Sequence, residues 1–108
     1  AYKYKDMSAK QEILETLRRE FPYLQQRFGL VQLRLFGSVS RGEDTETSDI
    51  DLLYIFQPEY DTYHNTFALH EYLTALFGRK VDLVSEEWSG ERFLSYALQD
   101  SVLLGESA

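Results

Sequence analysis

Two aspartates separated by one residue, Asp49 and Asp51, stand at the head of an apolar run, Leu52-Leu53-Tyr54-Ile55-Phe56. On a strand, residues i and i+2 point to the same face, so an extended Asp49-Ile50-Asp51 projects two carboxylates side by side. Like charges so close repel, and a strand entering a core is a poor place for them without a cation. Paired oxygen donors suit a hard divalent ion such as Mg²⁺, which takes one or two carboxylates and fills its shell with water and substrate phosphates. Twelve residues upstream of Asp49, Gly37-Ser38 closes another apolar run. If that turn opens a helix, it offers backbone N–H groups and a hydroxyl to phosphate. One stretch thus supplies both halves of a metal–nucleotide site. The plainer alternatives are a solvated strand start capped by Asp49 and a tight strand-to-helix turn at Gly37-Ser38.

The elements that position these residues follow from hydrophobic spacing. Ser8 and Gln11 fit a capping box, and Ile13, Leu14, Leu17 and Phe21 follow at helical intervals. Pro22 disfavours helix at Phe21, so this helix is expected to end or kink there, with a further short turn closed by Gly29. Val31 to Phe36 alternates as a strand, with Val31, Leu33 and Leu35 on one face and Gln32, Arg34 and Phe36 on the other. Asp49 to Phe56 reads as a second strand buried on both faces, hence central. Asp61 or Thr62 caps a helix expected to carry Tyr63, Phe67, His70, Leu73, Leu76 and Phe77 inward, ending at Gly78. Arg79 to Val84 reads as a third strand, with Arg79-Lys80 as its charged start. A last helix lies between Ser85 and Asp100, with Glu86-Glu87 as its acidic first turn and Phe93, Leu94, Ala97 and Leu98 on one side. Ser101 to Leu104 reads as a short final strand. Helices interleaved with strands imply an α/β (α+β) fold, a small mixed sheet with helices packed against it.

Composition narrows the function. A chain of 108 residues is one domain with a real core. The absence of cysteine removes disulfides, thiolate metal sites and a cysteine nucleophile. His64 and His70, six apart, do not share a helix face, so a zinc site is disfavoured. No apolar run is long enough to span a bilayer and no signal peptide is evident, which reads as a soluble, cytoplasmic protein. A net charge of −7 is poorly suited to non-specific binding of nucleic acid. No Walker-type phosphate loop and no Ser/His/Asp triad are present. Eight tyrosines leave some aromatic surface for a protein interface.

The order Gly37-Ser38, Arg41-Gly42, Ser48-Asp49-Ile50-Asp51-Leu52 resembles the signature of the DNA polymerase beta-like nucleotidyltransferase superfamily. The chain from about Val31 onward is similar to its smallest members, the minimal nucleotidyltransferase (MNT) domain proteins, many of them antitoxins paired with a HEPN-domain toxin. Ser40 departs from the Ala often found there, small for small. The resemblance implies two Mg²⁺ ions on Asp49 and Asp51, and a third acid, Asp82, as a further metal ligand or general base that helps one ion position and activate the attacking hydroxyl. It implies ATP as substrate, with Gly37 and Ser38 on its phosphates. Arg41 either touches phosphate or pairs with Glu43 or Asp44. Ser48 either orders the aspartates locally or contacts nucleotide, and Gly42 is a turn glycine.

The expected reaction is attack of an acceptor hydroxyl on the α-phosphorus of ATP with release of pyrophosphate. Larger relatives carry a second domain for the acceptor, for which 108 residues leave no room. A partner protein is the natural supplier. By resemblance it is a HEPN toxin, its acceptor a Tyr hydroxyl, and the assembly a hetero-oligomer in which adenylylation silences the toxin. The alternatives are a non-catalytic antitoxin that neutralises its partner by binding, and nucleotidylation of a small molecule.

Overall fold

The computed structural model describes residues 8–45 and 47–107. The polar lead read over residues 1–7 lies outside them. Helix α1 (Ala9–Phe28) starts at the anticipated capping box, Ser8 accepting from the Gln11 N–H while the Gln11 side chain accepts from that of Ser8. It does not stop at Phe21. It runs through Pro22 to the left-handed cap at Gly29. Pro22 is exposed while Phe21 and Leu24 on either side are buried. Proline removes one helical hydrogen bond, and burial of Ile13, Leu17, Phe21, Leu24 and Phe28 outweighs that local loss.

The remaining elements are β1 (Leu30–Phe36), α2 (Gly37–Arg41), β2 (Ile50–Phe56), a single 3₁₀ turn (Pro58–Tyr60), α3 (Tyr63–Phe77), β3 (Val81–Ser85), α4 (Glu91–Gln99) and β4 (Val102–Glu106). The sheet order is β3-β2-β1-β4, with β1 antiparallel to β2 and β4 and β2 parallel to β3. This is the expected α+β fold with a mixed sheet, and β2 is indeed central. A register shift between Leu30 and Gln32 rephases β1, so Leu30, not Val31, joins Leu33 and Leu35 in the core.

One face of the sheet buries Leu33, Leu35, Ile50, Leu52, Tyr54 and Phe56 against α1 and α3. The other face carries a smaller cluster, Phe36 and Leu53 with Ala97 of α4. Two sequence expectations about helices fail. In α3 only Leu69 and Leu73 are fully buried, while Tyr63 is 97% and Phe67 60% exposed. The helix is apolar on more than one side, so spacing alone did not identify its inner face. Glu86 and Glu87 lie in a turn, and the last helix begins after Gly90, with Glu91 in its first turn. Ser85 closes that turn, accepting from the Trp88 N–H through its hydroxyl and from Ser89 Oγ through its carbonyl.

Candidate active site

The small-cluster face of the sheet holds the candidate chemistry. Alternation along β2 puts Asp51 on the same face as Leu53. Across the parallel β2–β3 pair Asp51 stands in register with Asp82, and adjacent strands lie ~4.8 Å apart. Asp49 precedes the first residue of β2 by one position. Burial, then the Asp82 charge, then the Asp49 charge push the Asp51 carboxyl up to about 6, with Arg41 partly offsetting them. Asp51 is thus a half-buried carboxylate with two carboxylates acting on it. The cations nearby are engaged elsewhere: Arg41 Nε lies 2.8 Å from Glu43, Lys80 Nζ 3.7 Å from Asp49, and an Arg79 nitrogen 3.6 Å from Asp44.

Gly37 begins α2 directly after β1, and Phe36 at the end of β1 pairs with Asp51. Its φ of +77° is one that L side chains avoid, and a Cβ there would lie 2.1 Å from Asp51 Oδ2. The expected reason for this glycine was close approach to a phosphate. The structure adds another: it admits the Asp51 carboxylate against the backbone. Ser38 follows at the rim of an open hollow of 260 Å³ whose walls include Arg41, Asp51, Phe93 and Tyr96. Ser40 is buried and its hydroxyl donates to the Asp100 carbonyl at the end of α4. A small hydroxyl residue there ties α2 to α4.

Of the two options for Arg41, the structure shows the pair with Glu43. Of those for Ser48, it shows local ordering, with Ser48 Oγ accepting from the Thr45 N–H at 2.9 Å. Arg79, read as a mere charged strand start, proves a structural clamp. Its guanidinium donates to the Ser48 carbonyl at 2.6 Å and the Thr45 carbonyl at 3.2 Å. It therefore holds the loop that delivers Asp49. No sequence signal short of an alignment separates such an arginine from a solvated one. His70 is half-buried on α3, its Nε2 2.9 Å from the Val81 carbonyl.

Among the described residues no three ligand-type side chains gather closely enough to enclose an ion by themselves. Mg²⁺ does not require that, since it commonly takes one or two carboxylates and completes its shell with water and phosphate. An all-oxygen donor set, with no ion pair to Asp51 among the described residues, fits such an ion.

Comparison with known proteins places the chain. The nucleotidyltransferase domain family matches residues 11–103, further toward the N-terminus than the similarity read from Val31. The protein adenylyltransferase MntA of Thermococcus cleftensis is 41% identical over 78 residues, 72% of this chain and 78% of its own. A solved structure assigned as a minimal nucleotidyltransferase is 37% identical with a TM-score of 0.72, covering 84% of this chain and 92% of that one. The MNT antitoxin structure in complex with a tri-AMPylated HEPN toxin of Shewanella oneidensis shares the fold at a TM-score of 0.63 and 18% identity, over 87% of this chain and 73% of that one. With the family match spanning most of the chain and the carboxylate-and-glycine arrangement described above, the protein belongs to the nucleotidyltransferase domain family, as one of its minimal nucleotidyltransferases.

Proposed function

We propose that this chain acts as one domain and transfers AMP from Mg²⁺-ATP to a hydroxyl, that of a tyrosine, on a HEPN-domain partner toxin, and is thereby its antitoxin in the cytoplasm. The observation that carries this reading is Asp51 lying against Gly37, in register with Asp82 and two residues from Asp49, and burdened by burial and by both other carboxylates. A pure binding module has no need of that arrangement. The relative named protein adenylyltransferase and the fold shared with an MNT antitoxin bound to an AMPylated HEPN toxin support it.

In this reading Asp49 and Asp51 would hold Mg²⁺, which would neutralise charge on the triphosphate and on the leaving oxygen. Ser38 donates its hydroxyl and N–H to the terminal phosphates from the rim of the hollow. Asp82, on the edge strand and exposed, accepts the proton of the acceptor hydroxyl. The acceptor oxygen forms a bond to the α-phosphorus, the bond from that phosphorus to the bridging oxygen breaks, and pyrophosphate leaves with the electron pair. Arg41 softens the charge at Asp51 while bracing Glu43, and Ser48 fixes the turn before Asp49.

The test uses ATP labelled at the α-phosphate, Mg²⁺ and host lysate, comparing wild type with an Asp49→Asn, Asp51→Asn double variant. A labelled protein band formed only by wild type is expected, its acceptor residue then mapped by mass spectrometry. No band, with a partner co-purifying on both proteins, would overturn the transferase reading in favour of neutralisation by binding. Labelled small molecules in place of a protein band would shift the acceptor class.

A further inference from the structure

Asp51 and Asp82 are register neighbours, yet they line different hollows. Asp51 stands with Gly37 and Ser38 in the one walled by α4. Asp82 opens into a second groove of 370 Å³ between α3 and β3, whose walls include Tyr63, Phe67, Lys80 and Leu83. Tyr63 and Phe67 are one helical turn apart on α3, so they present a common face. Core burial does not account for them, since both are more than half exposed. Large aromatics left in water are the residue type enriched at protein interfaces. A third, Trp88, is 79% exposed and is held in place by its indole N–H donating to Asp61 Oδ2 at 2.7 Å, two residues before Tyr63 in the chain.

We propose that the groove between α3 and β3 docks the acceptor segment of the protein that is adenylylated, Tyr63 and Phe67 gripping an apolar side chain beside the hydroxyl presented to Asp82. This rests on the transferase reading above. In-line displacement brings the attacking oxygen to the face of the α-phosphorus opposite the leaving group, so nucleotide and acceptor need separate approaches. Two hollows, one lined by each member of a neighbouring carboxylate pair, provide them. The groove adjoins the candidate site through Asp82, which lines the groove and stands in register with Asp51. A net charge of −7 favours a segment whose flanks are neutral or basic.

The experiment measures steady-state transfer of α-labelled AMP from Mg²⁺-ATP to the purified HEPN-domain partner of the same host, for wild type and for a Tyr63→Ala, Phe67→Ala variant. The expected result is a rise in KM for the partner of roughly tenfold or more, as for the loss of an aromatic anchor pair, with KM for ATP unchanged. An unchanged KM for the partner, whatever happens to kcat, would overturn the docking assignment and leave the transferase reading standing. Failure of wild type to label the partner would bring down both.

Discussion

At the scale of residues, Asp51 decides most. Its carboxyl is raised to about 6, first by burial and then by Asp82 and Asp49. A carboxyl raised on folding means that the folded state holds a proton that the unfolded chain has already lost. Without metal, stability from this group is greatest below about pH 4, falls as pH rises toward 6, and is flat above. Asp51→Asn removes the charge while keeping the shape. In EDTA it should raise the stability to denaturant at pH 7.5 by on the order of 1 kcal/mol after solvent screening is allowed for, and the gain should vanish toward pH 4. The same variant should abolish labelling of the partner. A variant less stable than wild type at pH 7.5 would contradict the charge crowding. Gly37→Ala has the opposite expectation. A left-handed backbone and a Cβ 2.1 Å from Asp51 Oδ2 must both be accommodated. The substitution should cost about 1–2 kcal/mol from backbone strain alone, read by denaturant titration. It should also depress transfer because Asp51 is pushed aside.

The elements matter through what fixes them. The loop between α2 and β2 carries little apolar weight, and Arg79 holds it by two backbone carbonyls and the Asp44 carboxylate. Arg79→Gln should destabilise by about 2 kcal/mol, the range for hydrogen bonds to a charged group. Because the loss falls on the segment before Asp49, limited proteolysis should cut first between residues 43 and 48. Cleavage there no faster than in wild type would remove Arg79 from this role. Helix α1 shows the converse case. Its Pro22 breaks a backbone hydrogen bond, yet five buried apolar residues at intervals of three or four hold the helix on the sheet through that defect.

For the whole molecule, charge and topology set the partners. Eighteen acidic against eleven basic residues leave no electrostatic reason to bind a phosphate backbone. Labelled tRNA or duplex DNA should show no shift at micromolar protein and ~0.15 M salt, checked by fluorescence anisotropy. A salt-sensitive shift would point to a basic patch at odds with this balance. No helix among the described residues is long and apolar enough to cross a membrane. What the surface does offer is aromatic, at Tyr63 and Phe67 in the groove that Asp82 lines and at Trp88.

Much of this protein was determined by its sequence alone. The capping box at Ser8, the apolar run after Asp51 and the glycines ending α1 and α3 are local signals, and they placed the helices and the central strand to within a few residues. The carboxylate pair and Gly37-Ser38 were equally legible, because the spacing of an Asp-x-Asp at a strand head and a Gly-Ser at a strand end is itself the chemistry. Tertiary structure alone decided the rest. It carried α1 through Pro22, because burial summed over a helix exceeds one lost bond. It turned Tyr63 and Phe67 outward, because which side of an apolar helix faces the sheet depends on what the sheet presents. It made Arg79 a clamp and set Asp82 beside Asp51, because both depend on partners about thirty residues away in sequence, which no local pattern encodes.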